Sequence, residues 1–444
     1  MSHIALRAGL AHGAAAPPAP IAIGSRARRA ESIRRVVIVS DDAVASGGAA
    51  TIMLASVRAL GARRIPVTLL AGGGARDPSL AEVGAEVVDL GGRHLLEGPR
   101  LPAMLRGLHD RGVRARLSDW ILRHDTPATV YHLHNWHKVL SPSALAALRP
   151  VARRLVATAH DFFLACPNGG YFDYRSDTLC TRVPLSATCL ATNCDKRSYA
   201  EKLWRTARHL ARLRAIDLAR AGATVIAVHE GMVPLLVRGG IPEDVVRVVR
   251  NPVSPWLRER VPAEANRGAL YVGRIEHDKG VDVLVAAARL AGVPVTLVGD
   301  GPLLADLRAR HPEARFTGRL GHPAIAGLAR GARFVALPTR VRETFGHVAL
   351  EAAGSGLPVV ATTSTLIGDE ITGHGFGLCC PPGDAAALAA AMASLAADDA
   401  RVAAMSHAGI ARAPTLAPDR DRWIDALLAI YRTKLESSTE AAAP

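Results

Sequence analysis

The chain has 444 residues, 49% hydrophobic and 21% charged, which excludes a disordered or fibrous polymer; at roughly 100–200 residues per domain it holds two or three globular domains. The formal net charge of +14 suits nucleic acid, an anionic membrane surface or phosphorylated substrates without choosing among them. No apolar run reaches the ~20 residues of a membrane-spanning helix.

Residues 1–30, rich in Ala, Pro and Arg, read as a disordered extension without the apolar stretch and cleavage site of a secretory leader, so the expected compartment is the cytoplasm. "RRVVIVS" is the first clear strand. It is followed by a loop holding Gly47 and Gly48 that opens into a helical pattern, and then by "IPVTLLAG" and "EVVDL". Strand, Gly-rich loop, helix and strand make a βαβ unit, which implies a parallel sheet. "ATVYHLHN", "RRLVATAHD" and "GATVIAVHE" read as further buried strands with polar ends. From Asn251 a second alternation begins: "GALYVGRIE", "VPVTLVGDGP", "ARFTGRL", "RFVALPT" and "LPVVATTST" as strands with helical patterns between them.

The expected architecture is therefore α/β, with two doubly wound Rossmann-like domains. The first spans 31–248 and carries a Cys-containing insertion at about 162–200. The second spans 249–412, a last helix covers 413–434 and can cross back to the first lobe, and 435–444 reads as a disordered tail.

In open parallel sheets, ligands bind beyond the C-terminal strand ends at the switch point. The second half places Gly273 and Arg274, Gly299-Asp300-Gly301, the segment from Pro338 to Phe345, and Thr362-Thr363 at such ends. Arg274 and Lys279 share one strand-to-helix loop, where two cations can clamp a diphosphate; a solvated basic loop is the plainer reading. In "RETFGHVALE", Glu343 follows a strand, Gly346 opens a helix whose free N–H groups suit phosphate or sugar oxygens, and Glu351 lies on that helix. A carboxylate accepts two hydrogen bonds at once, as a vicinal diol requires, although a lone Glu near a helix start is ordinary.

Taken in order, "LYVGRIEHDKGVDVLV", "LVGDGP" and "ETFGHVALEAAGSGLPVVAT" resemble the retaining glycosyltransferases of family 4, which have the GT-B fold of two lobes facing across a cleft. That resemblance covers essentially all of 250–410. It implies that Glu343 binds hydroxyls of the transferred sugar and Glu351 the nucleotide ribose. Thr344, Phe345 and Gly346 would line the sugar and diphosphate, with backbone amides from Phe345 and Gly346. Gly273 and Gly299 would border the donor, and Arg274 and Lys279 would neutralise the leaving diphosphate.

The first half is similar more loosely. "SGGAA" resembles the family's Gly-rich acceptor and phosphate loop, with Gly47 and Gly48. "HLHNWHKVLSPS" and "TAHDFFLACPNGGYF" resemble a subgroup acting on cell-surface polysaccharide or lipid-linked sugars, in which His160, beside Asp161, matches a histidine facing the donor sugar. The implied reaction moves a sugar from a nucleoside-diphosphate sugar to a saccharide or lipid-linked acceptor, needs no cofactor, and uses no metal, since no Asp-x-Asp motif stands in place and Asp41-Asp42 lies in the acceptor lobe. Another GT-B enzyme, such as a sugar-nucleotide epimerase, would lack the Glu343/Glu351 pair in this setting. A nucleic-acid partner is suggested by charge alone, with no aromatic RNA-reading or helix-turn-helix motif, and is not expected.

Cys166, Cys180, Cys189 and Cys194 are separated by thirteen, eight and four residues. Two readings stand: a structural zinc site pinning the insertion, or buried free thiols; disulfides are disfavoured in a reducing compartment. Cys379 and Cys380 read as structural. The basic helical pattern after the insertion, with Leu203, Trp204, Leu210 and Leu213, either docks on an anionic membrane or packs those residues into the core.

Overall fold

A computed structural model describes residues 33–440; the extension expected at 1–30 and the final residues 441–444 lie outside them. The first lobe is a seven-stranded sheet of β1 (Arg35–Ser40), β2 (Val67–Ala71), β3 (Glu86–Asp89), β4 (Thr129–Leu133), β5 (Leu155–Ala159), β8 (Thr224–Ala227) and β9 (Val246–Val248). Its order is β3-β2-β1-β4-β5-β8-β9, with every pair parallel. Between β5 and β8 the insertion forms an antiparallel hairpin of β6 (Phe172–Asp173) and β7 (Thr178–Leu179). The second lobe has β10 (Gly268–Val272), β11 (Val295–Val298), β12 (Arg315–Gly318), β13 (Ala332–Leu337), β14 (Val359–Thr362) and β15 (Gly377–Cys380), ordered β12-β11-β10-β13-β14-β15 and again all parallel. These are the two doubly wound sheets anticipated from the alternation of elements. Helices cover both faces, so β1 carries the unbroken run Val36-Val37-Ile38-Val39 and β4 is buried along its whole length, Tyr131 and His132 included.

The topology places the site. In the first sheet the winding reverses between β1 and β4, and in the second between β10 and β13. The loops after those strands hold Gly47–Gly48, His134–His137, Gly273–Lys279 and Pro338–Gly346.

Three boundaries differ from expectation. β15, with Cys379 and Cys380, is a sheet strand that its Gly and Pro flanks hid. The helix Asp399–Leu416 runs past 412 with Pro414 inside it. The last helix, Arg420–Glu440, continues through residues 435–440 of the tail expected to be disordered, because Leu435 is buried. That helix packs on the first lobe. Trp423, Ile424, Leu427, Leu428 and Tyr431 share a core with Val36, Ile38 and Ile52, and Arg63 pairs with Asp421 at 3.2 Å and with Asp425. Among the described residues no helix is long and apolar enough to cross a membrane.

The helix Tyr199–Ala215 reverses the burial that its sequence suggests. Leu203, Leu210 and Leu213 are exposed, while Lys202, Arg208, His209 and Arg212 are buried. Part of this polar face finds partners inside: Arg208 donates to the carbonyls of Gly107 (3.0 Å) and His137, and Arg205 pairs at 2.6 Å with the fully buried Asp195, while Nε and Nη2 of Arg212 are buried without a partner among the described residues.

Tyr431 is fully buried, so Tyr431→Ala should cost about 3–5 kcal/mol, as for other large aromatics, and lower the melting temperature in calorimetry.

Candidate functional site

The second-lobe loops approach one another closely at the switch point. Gly299 has φ 145°, and a Cβ there would stand 1.8 Å from the Gly273 carbonyl oxygen. The two strand-end loops can therefore touch only as backbone. Gly346, at φ 75°, caps the helix His347–Gly354, and a Cβ would meet Ile367 at 2.8 Å. This left-handed turn, two residues after Thr344, which bonds the first lobe, starts the helix.

On these loops Lys279 donates to the Glu343 carboxylate at 2.5 Å, both side chains about three-quarters covered. Burial works to raise the Glu343 carboxyl, but the Lys279 charge and hydrogen bond overcome it and hold the group below its usual range. Arg274 is largely exposed and pairs with Glu276 at 2.7 Å, and its backbone carbonyl accepts from the Tyr271 hydroxyl. Phe345 is buried, with its ring 4.8 Å from His347. Glu351 stands apart from the Lys279–Glu343 pair: its carboxylate accepts from Trp256 of the inter-lobe linker at 3.2 Å, and burial, opposed by that bond, pushes it up to about 7.

The first lobe meets this surface directly. Thr344 Oγ1 donates to the His160 backbone carbonyl at 2.9 Å, and Arg319 donates to the carbonyl of Ala45, just before Gly47. His160 Nε2 lies 2.9 Å from His134 Nδ1; burial, with help from His347, lowers His160 to about 3. Asp161 accepts from the Phe163 amide, and burial raises it to about 6. Gly47 and Gly48 open the helix Gly48–Ala62, and Cβ atoms added there would meet nothing within 4 Å, so these positions leave free space over the cleft. Asp41, which the adjacent Asp41-Asp42 pair drew attention to, is consumed structurally: it accepts the backbone amides of Lys138, Val139 and Leu140.

Several contributors were not visible from the sequence. The insertion hairpin latches onto the second lobe: Tyr174 donates to Asp278 at 3.0 Å, next to Lys279, and Asp177 pairs with Arg340 at 2.9 Å, on the loop of Glu343. His347, Trp256 and His134 are further cases. Its place directly after Phe345-Gly346 is the one sequence signal for His347.

The four insertion cysteines are free thiols. Lys202, itself buried, places its ammonium 3.4 Å from both Cys189 and Cys194. Among the described residues the one group of three potential metal ligands within 4.8 Å of each other is His229, Glu230 and Glu370, not the cysteines. The Arg250 guanidinium already bridges those two glutamates across the lobes at 2.5 Å.

Two family models match, glycosyltransferase family 4 over residues 46–256 and glycosyl transferases group 1 over 266–398, one on each lobe. The chain belongs to the family 4 glycosyltransferases of the GT-B fold. It is 31% identical over 276 residues to a glycogen synthase of Mycobacterium tuberculosis, covering 58% of this chain and 63% of that protein. It is 34% identical to a GDP-mannose-dependent alpha-mannosyltransferase of the same organism, covering 42% of this chain and 49% of that one. The chain thus spans less than two thirds of the length of these curated relatives. The fold also matches a complex of the Anabaena protein HepE with UDP (TM-score 0.61, 18% identity, 90% of this chain and 100% of that one). This family 4 chain therefore carries the GT-B lobes, with Lys279 and Glu343 at the switch point of the second.

Glu351 sits well above its ordinary 4.5. Below that ordinary value the protonated group's contribution to stability is fully present, and it is lost as pH rises through about 7. Glu351→Gln should therefore gain melting temperature relative to the parent between about pH 5.5 and about pH 8, measured by calorimetry at both.

Proposed function

We propose that this chain transfers a sugar, with retention of configuration, from a nucleoside-diphosphate sugar to a saccharide or lipid-linked acceptor in the synthesis of a cell-surface polysaccharide. The observation that carries the reading is the Lys279–Glu343 pair, standing at the switch point and facing the His160 loop. Bound donor exchanges the partners: the diphosphate takes Lys279 and Arg274, and the sugar hydroxyls take Glu343. Both cations oppose the charge that grows on the leaving phosphate, and the Gly346 turn adds a helix N-terminus to the same task. Glu351, once ionised, accepts the two ribose hydroxyls. Because Glu343 is committed to hydroxyls and a cation, the reading assigns no carboxylate nucleophile. The acceptor hydroxyl attacks on the face of the leaving group, and a phosphate oxygen takes its proton. Side-chain cations fill the place of a metal ion, so chelators leave the rate unchanged.

In support, the mannosyltransferase relative uses GDP-mannose and the HepE structure holds UDP; the base and the sugar are both open to a donor panel. A nucleoside-diphosphate sugar should raise the melting temperature and be consumed. Lys279→Ala should lower kcat/KM by about 10²–10³ in a coupled assay of nucleoside diphosphate release. No thermal shift with any nucleoside diphosphate would overturn the reading.

The same proposal places the enzyme in the cytoplasm, at the membrane surface. Its support is the exposed apolar stripe of Leu203, Leu210 and Leu213, on a helix next to Arg100–Leu108, which itself exposes Leu101 and Leu105 in a chain of net charge +14. The chain should sediment with vesicles containing phosphatidylglycerol and not with pure phosphatidylcholine. Leu210→Asp should weaken that retention roughly tenfold or more, the value of one buried Leu side chain.

A further inference from the structure

His132 and His134 project from one face of β4 and its extension, and Thr158 and His160 from the matching face of β5, because alternate residues share a side. β4 and β5 are parallel neighbours with His132 opposite Val156. Two rungs cross this pair. In the first, His132 Nδ1 meets the Tyr431 hydroxyl at 2.6 Å, and His132 Nε2 meets Thr158 Oγ1 at 2.7 Å. In the second, His134 Nδ1 meets His160 Nε2 at 2.9 Å. The His132 and His134 rings lie 4.1 Å apart, so the first rung, anchored by the last helix, buttresses the second.

Only one of His134 Nδ1 and His160 Nε2 can carry the shared proton while both rings are neutral. Burial lowers His134 well below its usual value, with His132 and His160 adding to it, and lowers His160 likewise, so both rings are neutral at physiological pH. The other nitrogen of His134, Nε2, is buried and has no partner. A buried N–H left unpaired is rarer and costlier than an under-used acceptor. The proton of His134 therefore sits on Nδ1, and His134 donates to His160 Nε2. His160 must then carry its own proton on Nδ1.

We propose that His134 is a positioning residue that locks His160 in the Nδ1–H tautomer, so that His160 presents the cleft with a hydrogen-bond donor and not a base. The donor suits an oxygen of the sugar, a hydroxyl or the ring oxygen, and agrees with a reaction whose proton leaves on phosphate. The consequence for transfer rests on the donor-sugar reading of His160 given above; the tautomer itself does not.

Two measurements on the full chain test this. The first is long-range ¹H–¹⁵N NMR of histidine-labelled protein, with His160 assigned through His160→Gln. It should show a protonated Nδ1 and a bare Nε2 on His160, unchanged in His134→Asn, whose amide can stand where Nδ1 stood, and lost in His134→Leu. The second is steady-state transfer. His134→Leu should lower kcat about 10–100-fold, as loss of an outer hydrogen-bond partner does, with donor KM little changed, and His134→Asn should recover most of it. A His160 proton on Nε2 in the wild type, or an unaltered tautomer in His134→Leu, overturns the inference. Should His134→Leu fail to fold, the wild-type and Asn spectra decide. Should no nucleotide sugar be turned over, the transfer reading falls while the spectra still decide the role of His134.

Discussion

A carboxylate three-quarters covered by protein must be neutralised, and in this molecule Glu343 and Lys279 neutralise each other. Each group is too poorly hydrated to stand alone, and each sits on a loop that only backbone contact between strand ends can support. The pair holds both signs of charge at bonding distance. On the proposed reading a diphosphate sugar, anion beside hydroxyls, replaces this internal bond with two external ones. Two glycines shape the loops around the pair: Gly299 allows its loop to lie against Gly273, and Gly346 makes the left-handed turn that starts the helix His347–Gly354.

The two lobes meet through polar contacts on several sides of this pair. Thr344 bonds the His160 carbonyl, the insertion hairpin bonds Asp278 and Arg340, and Arg250 ties Glu230 of the first lobe to Glu370 of the second. Such polar contacts are individually modest and exchange readily with water; a buried apolar cluster also runs from the first lobe into the second. On the proposed reading these polar contacts exchange as the lobes open for substrate and close around it. Asp278 is next to Lys279 and Arg340 lies on the loop of Glu343, so the hairpin holds both loops while it spans the lobes.

The insertion and the helix after it invert the usual economy of burial. Arg208, Arg212 and Lys202 lie inside and leucines lie outside. The buried Lys202 ammonium faces two sulfurs; burial works to lower its pKa, but Cys194 and Cys189 outweigh it, while burial holds the Cys194 thiol above its ordinary value and so in the neutral form. A cation already occupies the space between Cys189 and Cys194, which accounts for thiols clustering here without the ligand geometry of zinc.

Alternation of apolar runs with helical periods determined the two parallel sheets, and short-range spacing determined the loops holding Arg274, Lys279, Glu343 and Gly346. Backbone periodicity and strand-end loops are local properties, and residues within one loop cannot separate far. Tertiary structure alone decided which face of Tyr199–Ala215 turns inward, that Tyr431 reaches His132, that Trp256 takes Glu351, and that the hairpin bonds Asp278. Those outcomes depend on partners up to 299 positions away. A buried polar group settles wherever a distant donor or acceptor completes its hydrogen bonds, and no local pattern of hydrophobicity encodes that partner.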